Sequence, residues 1–226
     1  MFSVIIPLYN EEENINPLIK EIVYHLDRYK DYEIILIDDA STDNTENNIN
    51  NLNIKNLKIL KNKTNLGQSF SIHRGVLNSL YETIITIDGD GQNNPSDIPV
   101  LLDQFFNDDD VKLIGGIRIK RQDNFIKIYS SKIANLVRSR ILNDDCKDTG
   151  CSLKVFNKNI FLEFPYFNGI HRFLPSLFKG FGYKTIFIPV HHRGRKFGKS
   201  KYGTFNRLFK GIRDIIKVYK IINKKT

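Results

Sequence analysis

Short apolar runs alternate with helix-spaced segments through the first half of the chain, and that alternation leaves few folds open. "SVIIPLY", "YEIILIDDA", "LKILKN" and "ETIITIDGD" read as strands. Asn14 to Tyr29, Thr42 to Leu52 and Ser69 to Leu80 carry apolar residues at helical spacing between them. Strands that are apolar on both faces and separated by helices form a parallel sheet covered on both sides, hence an α/β fold. "PSDIPVLLDQFF" continues the pattern as a helix with Pro95 near its start, and "VKLIGGIR" as a fifth strand.

Beyond Lys120 the alternation loosens. The spacing predicts a basic helix from Phe125 to Leu142, strands at "GCSLKVFN" and "YKTIFIPVHH", and a long helix from Thr204 to Lys225, with no linker dividing the chain. The expectation is one domain over 1–226, with a nucleotide-sugar half at 1–119, an acceptor half at 120–203 and an amphipathic tail at 204–226. At 226 residues and 41% hydrophobic composition the chain can bury a sizeable core. No apolar run approaches the ~20 residues of a membrane span, and the first residues enter a strand without the look of a leader. Cys146 and Cys151, with no metal-ligand spacing around them, read as reduced thiols of a cytoplasmic protein.

In a parallel sheet, ligands bind at the carboxyl ends of the strands. Here three strands end in polar clusters, "PLYNEEE", "IDDASTD" and "IDGDGQ". Singly, each has a structural reading: Ser41 or Asp43 as a helix cap, Asn10 to Glu13 as an acidic first turn. The first turn lacks G-x-G-x-x-G and carries Glu11, Glu12 and Glu13, which would repel a pyrophosphate seated there. The phosphates of a bound nucleotide would then be neutralised elsewhere, most simply by a divalent cation. "DGDGQ" fails as a calcium loop, because the fifth, sixth and twelfth positions are Gln92, Asn93 and Pro99. Two carboxylates on a short turn suit Mg²⁺ or Mn²⁺ shared with substrate phosphates.

These motifs, with "NLGQSFSIHRG", "DTGCSLKVF" and "HRGRKFGKSKYG", resemble a family 2 glycosyltransferase of GT-A fold, nearest the dolichyl-phosphate mannose synthase group. The resemblance spans nearly the whole chain. It implies a Rossmann-like nucleotide-binding domain that transfers a sugar from a nucleotide-sugar, with inversion, to a polyprenyl phosphate. By position, Pro7, Tyr9 and Glu11 would line the nucleotide pocket and Asp39 would hold the base. Asp88, Asp90 and Gln92 match the metal and diphosphate site. Arg118 matches an arginine that faces the phosphates, and Lys127 and Ser131 match acceptor-phosphate positions. Lys127 stands where arginine is commoner, keeping the charge but losing a bidentate fork. Arg195, Ser200 and Lys201 match a loop that closes over the donor. His171 and Arg172 match segments close to the sugar or acceptor, and a packed segment with a hydrogen-bonded histidine is an equal reading of them.

A phosphate acceptor is already anionic and needs cations rather than a general base. A hydroxyl acceptor would need a carboxylate such as Asp148. The donor stays open between GDP-mannose, the family default, and a UDP-sugar such as UDP-glucose, and a saccharide hydroxyl in envelope polysaccharide synthesis is the alternative acceptor. The net charge of +9, concentrated after Lys112, calls for an anionic partner. Nucleic acid does not explain D-x-D and no recognition motif supports it; a catalytically dead binding module leaves an intact donor site without a purpose.

In the tail, Phe205, Leu208, Phe209, Ile212, Ile215, Ile216, Tyr219 and Ile222 share one face, flanked by Arg207, Lys210, Arg213, Lys217, Lys220 and Lys224. Either the helix packs on the domain with a solvated basic side, or it lies on an anionic membrane. The second reading places the protein on the cytoplasmic face of a membrane, with or without a membrane-protein partner.

Overall fold

A computed structural model describes residues 1–119, 135–195, 197 and 204–224. Seven strands form one sheet in the order β3-β2-β1-β4-β6-β5-β7. They are β1 Phe2–Leu8, β2 Tyr32–Asp38, β3 Leu57–Lys61, β4 Thr83–Thr86, β5 Val111–Ile119, β6 Lys154–Asn157 and β7 Lys184–His191. Strand β1 pairs in parallel with β2 and β4, β2 with β3, and β5 with β7; β6 runs antiparallel between β4 and β5. The sheet is mostly parallel, as the alternation of the first half requires, and β6 is the exception. The predicted strand "GCSLKVFN" is ladder only from Lys154, because residues 150–153 form the loop that feeds it.

The helices are α1 Ile15–Leu26, α2 Thr45–Asn50, α3 Gln68–Leu77 and α4 Ile98–Phe106, then α5 described over residues 135–142. They continue as α6 Lys158–Glu163, α7 Leu174–Gly180 and α8 Thr204–Asn223. The apolar residues of β1 divide between two cores: Val4, Ile6 and Leu8 face α1, α2 and α4, while Ile5 faces α3, α6, α7 and α8. Period-two alternation within a strand buried on both sides produces that split.

Gly75 lets α3 approach the sheet closely. A Cβ there would lie 2.7 Å from Ile5 Cγ2 and 3.0 Å from Ile37 Cδ1. The second core is rich in aromatic rings, with Phe156, Phe161, Phe164 and Phe178 packed edge to face or tilted at centroid distances of 5.2–6.1 Å. Among the described residues no helix is long and apolar enough to cross a membrane.

Candidate active site

Strands β1, β2, β4, β5 and β7 all point the same way, so their carboxyl ends open on one edge. Residues 8–11, 38–39, 88–90, 118 and 191–195 follow from them, and β6, running the other way, begins there. The structure thus brings together Pro7, Tyr9, Glu11, Asp39, Asp88, Asp90, Gln92, Arg118 and Arg195. Lys127, Ser131, Ser200 and Lys201 lie outside the described residues.

Much of the polar sequence after β1 and β2 joins the two loops to each other. Asn10 exchanges bonds with Thr42, and its backbone N–H donates to Ser41 Oγ at 2.9 Å. The N–H groups of Glu11 and Glu12 donate to Thr45 Oγ1 and Asp43 Oδ2, and Glu12 Oε2 accepts from Asn44 N. Helix α1 starts at Ile15, so the three glutamates form a turn ahead of it rather than its first turn. Glu11 is buried and accepts from Asn14 Nδ2 at 2.8 Å.

The junction is strained. Asn10 and Ala40 hold φ of +52° and +59°, a region asparagine enters more readily than alanine. Ala40→Gly is expected to raise stability by up to about 1 kcal/mol, the relief of a left-handed alanine less the entropy glycine adds to the unfolded chain. A urea midpoint that falls instead would show that the loop is unstrained.

Asp39 is buried against the start of α3. Its carboxylate accepts from Asn62 Nδ2, Leu66 N and Gly67 N at 2.7–2.9 Å. Gly67, at φ +86°, turns its N–H toward the acid as the helix begins. One lone-pair position of Asp39 is left for a ligand donor.

Beside it, α3 carries Phe70 and His73 against Tyr166, with the two histidine and tyrosine rings 5.0 Å apart. Burial, then the Asp39 charge, raises the Tyr166 phenol above its usual range. The sequence gives no periodic signal for this aromatic wall, because Tyr166 arrives from a loop nearly a hundred residues away.

Asp88 and Asp90 meet at the end of β4. Burial, then the nearby Asp90 charge, pushes the Asp88 carboxyl up to about 7, against weaker pulls from Ser152, Lys154 and Arg118. Asp88 Oδ1 accepts from Gln68 Nε2 at 2.6 Å. Asp90 Oδ1 accepts from Gln92 N, and its Oδ2 pairs with Arg195 Nη2 at 2.6 Å. A guanidinium already occupies one side of this acidic pair. Two close carboxylates, offering oxygen ligands once both are ionised, fit a hard divalent cation, whose charge would draw the Asp88 proton off.

Around them, the loop after β4 is clamped to β7. Arg193 N donates to Gln92 O, and Arg193 also bonds Asn94 Oδ1 and Glu21 Oε2 at 2.7 Å each. Asp97 accepts from both the backbone N–H and Nδ1 of His191.

Arg118 makes a bidentate fork on Asp148, Nε to Oδ2 at 2.7 Å and Nη2 to Oδ1 at 2.8 Å. The Asp148 side chain is only 6% exposed. Such a carboxylate positions its arginine and is a poor general base. Lys154, wholly buried at the start of β6, donates to the carbonyls of Thr149 and Cys151, and burial pushes its pKa down. Cys146 and Cys151 are buried free thiols, and burial pushes Cys151 up to about 11, so neither is a nucleophile.

His171 approaches from the other side. Ser69 Oγ accepts from Gly169 N at 2.7 Å and lies 2.6 Å from His171 Nδ1. Arg172 turns away to Asp214 of α8, at 2.7 Å. Gln68, Lys154 and Tyr166 are the site residues that motif reading leaves without a role. Gln68 sits inside the quoted stretch "NLGQSFSIHRG" and could have been found there.

The fold matches solved glycosyltransferases. Glucosyl-3-phosphoglycerate synthase from Mycobacterium tuberculosis, in complex with Mn²⁺, uridine diphosphate and phosphoglyceric acid, superposes with TM-score 0.72 at 17% identity, over 96% of this chain and 76% of that one. The same enzyme with Mg²⁺ and uridine diphosphate matches at TM-score 0.72 and 16% identity, over 96% and 77%. A further mycobacterial protein gives TM-score 0.70 at 19% identity, over 96% and 73%. The model of glycosyl transferase family 2 covers residues 3–164, well over half of the sequence, and the chain therefore belongs to that family.

Proposed function

We propose that this glycosyltransferase moves a hexosyl group, with inversion, from a nucleoside diphosphate hexose to a phosphate-bearing acceptor, a polyprenyl phosphate first. The observation that carries the reading is the Asp88–Asp90 pair at the carboxyl end of β4, with Arg195 against it. Mg²⁺ or Mn²⁺ held by Asp88 and Asp90, with Gln92 beside them, would supply positive charge to the departing diphosphate.

The chain's own groups do the rest. Asp39 keeps an acceptor position for a base N–H, with Pro7, Tyr9 and Glu11 around it. Arg195 can pass from Asp90 to the diphosphate when a donor enters, adding charge where it develops in the transition state. Ser200 and Lys201 follow it in the sequence.

An acceptor phosphate oxygen attacks the anomeric carbon as the bond from that carbon to the diphosphate oxygen breaks, and its electron pair leaves with the nucleoside diphosphate. No proton need move. The Arg118–Asp148 fork agrees with this, since Asp148 is spent on orienting Arg118 toward the phosphate-binding edge. Lys127 and Ser131 complete the acceptor site in this reading.

For the donor we favour UDP-glucose over GDP-mannose, because solved structures of this fold are described with UDP-glucose and Mn²⁺. A second reading keeps that donor and takes a hydroxyl of a small phosphorylated acceptor, since the same descriptions include phosphoglyceric acid and glycerol 3-phosphate. The test supplies labelled UDP-glucose and GDP-mannose in parallel, with Mn²⁺ and either undecaprenyl phosphate in detergent or 3-phosphoglycerate. Asp90→Asn serves as the blank. Label extracted with the lipid from UDP-glucose, as the inverted anomer, is the expected result. Label in the aqueous product selects the second reading, and a retained anomer rules out direct displacement.

A further inference from the structure

Over residues 211–224, helix α8 divides into three sectors where a helix packed on its own domain shows two. At about 100° per residue, Asp214, Val218, Ile221, Ile222 and Ile215 fall on one side. Asp214 and Val218 are buried there, and the isoleucines pack on the second core. Gly180 of α7 receives Ile222 so closely that a Cβ would lie 2.6 Å from it, and Asp214 is fixed by Arg172. The rotation of the helix is therefore set by the fold.

The remaining arc splits cleanly. Ile212, Ile216 and Tyr219 share about 60° of it and are 52%, 52% and 49% exposed. Arg213, Lys217, Lys220 and Lys224 share the next about 60°, all exposed. Exposed isoleucines spaced four apart on a helix whose apolar packing is already satisfied elsewhere are not required by the core.

Beside this arc lies a groove of about 800 Å³ between α8 and the loop at Phe167 and Asn168, lined also by Arg213, Ile216, Lys217 and Lys220, with Asp214, already paired with Arg172, at its base. Lys217 Nζ stands 5.0 Å from the Phe167 ring centroid. Two residues on, Gly169 bonds Ser69, which follows Gln68, the donor to Asp88. One loop thus joins the groove to the acidic pair.

The geometry points to an anionic lipid bilayer as the partner of this face. Ile212, Ile216 and Tyr219 enter the headgroup boundary, and Arg213, Lys217, Lys220 and Lys224 meet the lipid phosphates beside it. Charge decides the occupant: an apolar stripe edged on one side by four cations complements a negative surface, while a second copy of the same face would bring like charges together. Docked so, the enzyme presents the mouth of its site within a loop's length of the lipid phosphates.

The test is flotation of the full chain, without nucleotide, with vesicles of phosphatidylcholine containing 30% phosphatidylglycerol, against pure phosphatidylcholine, at low and high salt. Binding to the anionic vesicles that falls at high salt is expected. Each Lys→Gln change at Lys217 or Lys220 should lower the partition coefficient about fivefold. The triple variant Ile212→Ser, Ile216→Ser, Tyr219→Ser should abolish binding with its melting temperature and donor affinity unchanged. No binding to anionic vesicles, or full binding by the triple variant, overturns the inference. So does a wild-type dimer that the triple variant alone dissolves. Binding needs no turnover, so its failure would leave the transferase reading standing, and failure of transfer would leave the docking face standing.

Discussion

Asp88→Asn is expected to lower kcat by about a thousandfold and, without metal, to make the protein more stable above pH 7. The two effects share one cause. Asp88 is half-buried beside Asp90, and lost hydration, then the Asp90 charge, pushes its carboxyl up from 3.8 to about 7. Between those values the folded chain keeps a proton that the unfolded chain has released. Stability therefore falls as pH rises through this window, and above pH 7 the full penalty of ionising this half-buried acid beside Asp90 is in place. Asparagine carries no such penalty and still accepts from Gln68. It also withdraws an anion from near the buried Lys154, which offsets part of the gain. We expect about 1–3 kcal/mol at pH 8, and a smaller difference at pH 5. Urea denaturation of both proteins at the two pH values, with and without Mn²⁺, checks it. Mn²⁺ should stabilise the wild type and leave the variant unmoved. A difference that stays flat from pH 5 to pH 8 would mean that Asp88 is ionised comfortably in the fold.

The largest loss of stability is expected from Asp144→Ala. Asp144 and Arg138 form an ion pair at 2.7 Å with side-chain exposures of 0% and 4%. Asp144 also accepts from the Ser176 hydroxyl and from Cys146 N, while Arg138 donates to Cys146 O. This network ties α5, the loop that follows it and α7 together, just upstream of Asp148. Removing the acid strands a buried guanidinium, at a cost of about 3–5 kcal/mol. The double variant Arg138→Met, Asp144→Ala removes the stranded charge and should recover most of that loss. A double variant as unstable as the single one would locate the cost in the lost Ser176 and Cys146 bonds.

How far the fold could be read from sequence followed from where order is local. Strands β1 to β4 and helices α1 and α3 announce themselves through apolar spacing over consecutive residues, and their ends shift by only a few positions. Helix α2 is shorter than its pattern: Asp43 Oδ1 accepts from Thr45 N in a turn just ahead of it, and the helix begins only at Thr45. Beyond residue 120 the signal is weaker for a physical reason. Strand β6 is only four residues long, and its partners β4 and β5 lie far off in sequence, so nothing local marks its direction. Helix α7 is short and buried from Leu174 to Phe178, which erases the polar side that would reveal a helical period, and α6, at six residues, is too short to show one.

Within the site, D-x-D was legible because two carboxylates after apolar residues demand an explanation. Asp39 was legible as a strand-end acid. The partner of Arg118 was not: a bidentate fork between residues thirty apart needs the sheet to be known first. The polar residues after β1 and β2 looked like converging ligands, and several of them hold the two loops to each other.

Strand β6 has a consequence for how the chain emerges from the ribosome. Residues 2–86 contain β1 to β4 and can pair among themselves as they are made, but β4 then stands as an open edge. Its partner begins only at Lys154, opposite Thr86. For about seventy residues of synthesis, a strand that the finished fold buries completely, Thr83–Thr86, with Asp88 and Asp90 just beyond its tip, has no neighbour on one side. An unprotected central strand of this kind invites pairing with another nascent chain. Fragments ending before residue 154 should therefore collect as aggregates, and the step that quenches the edge is the one that completes the catalytic crevice.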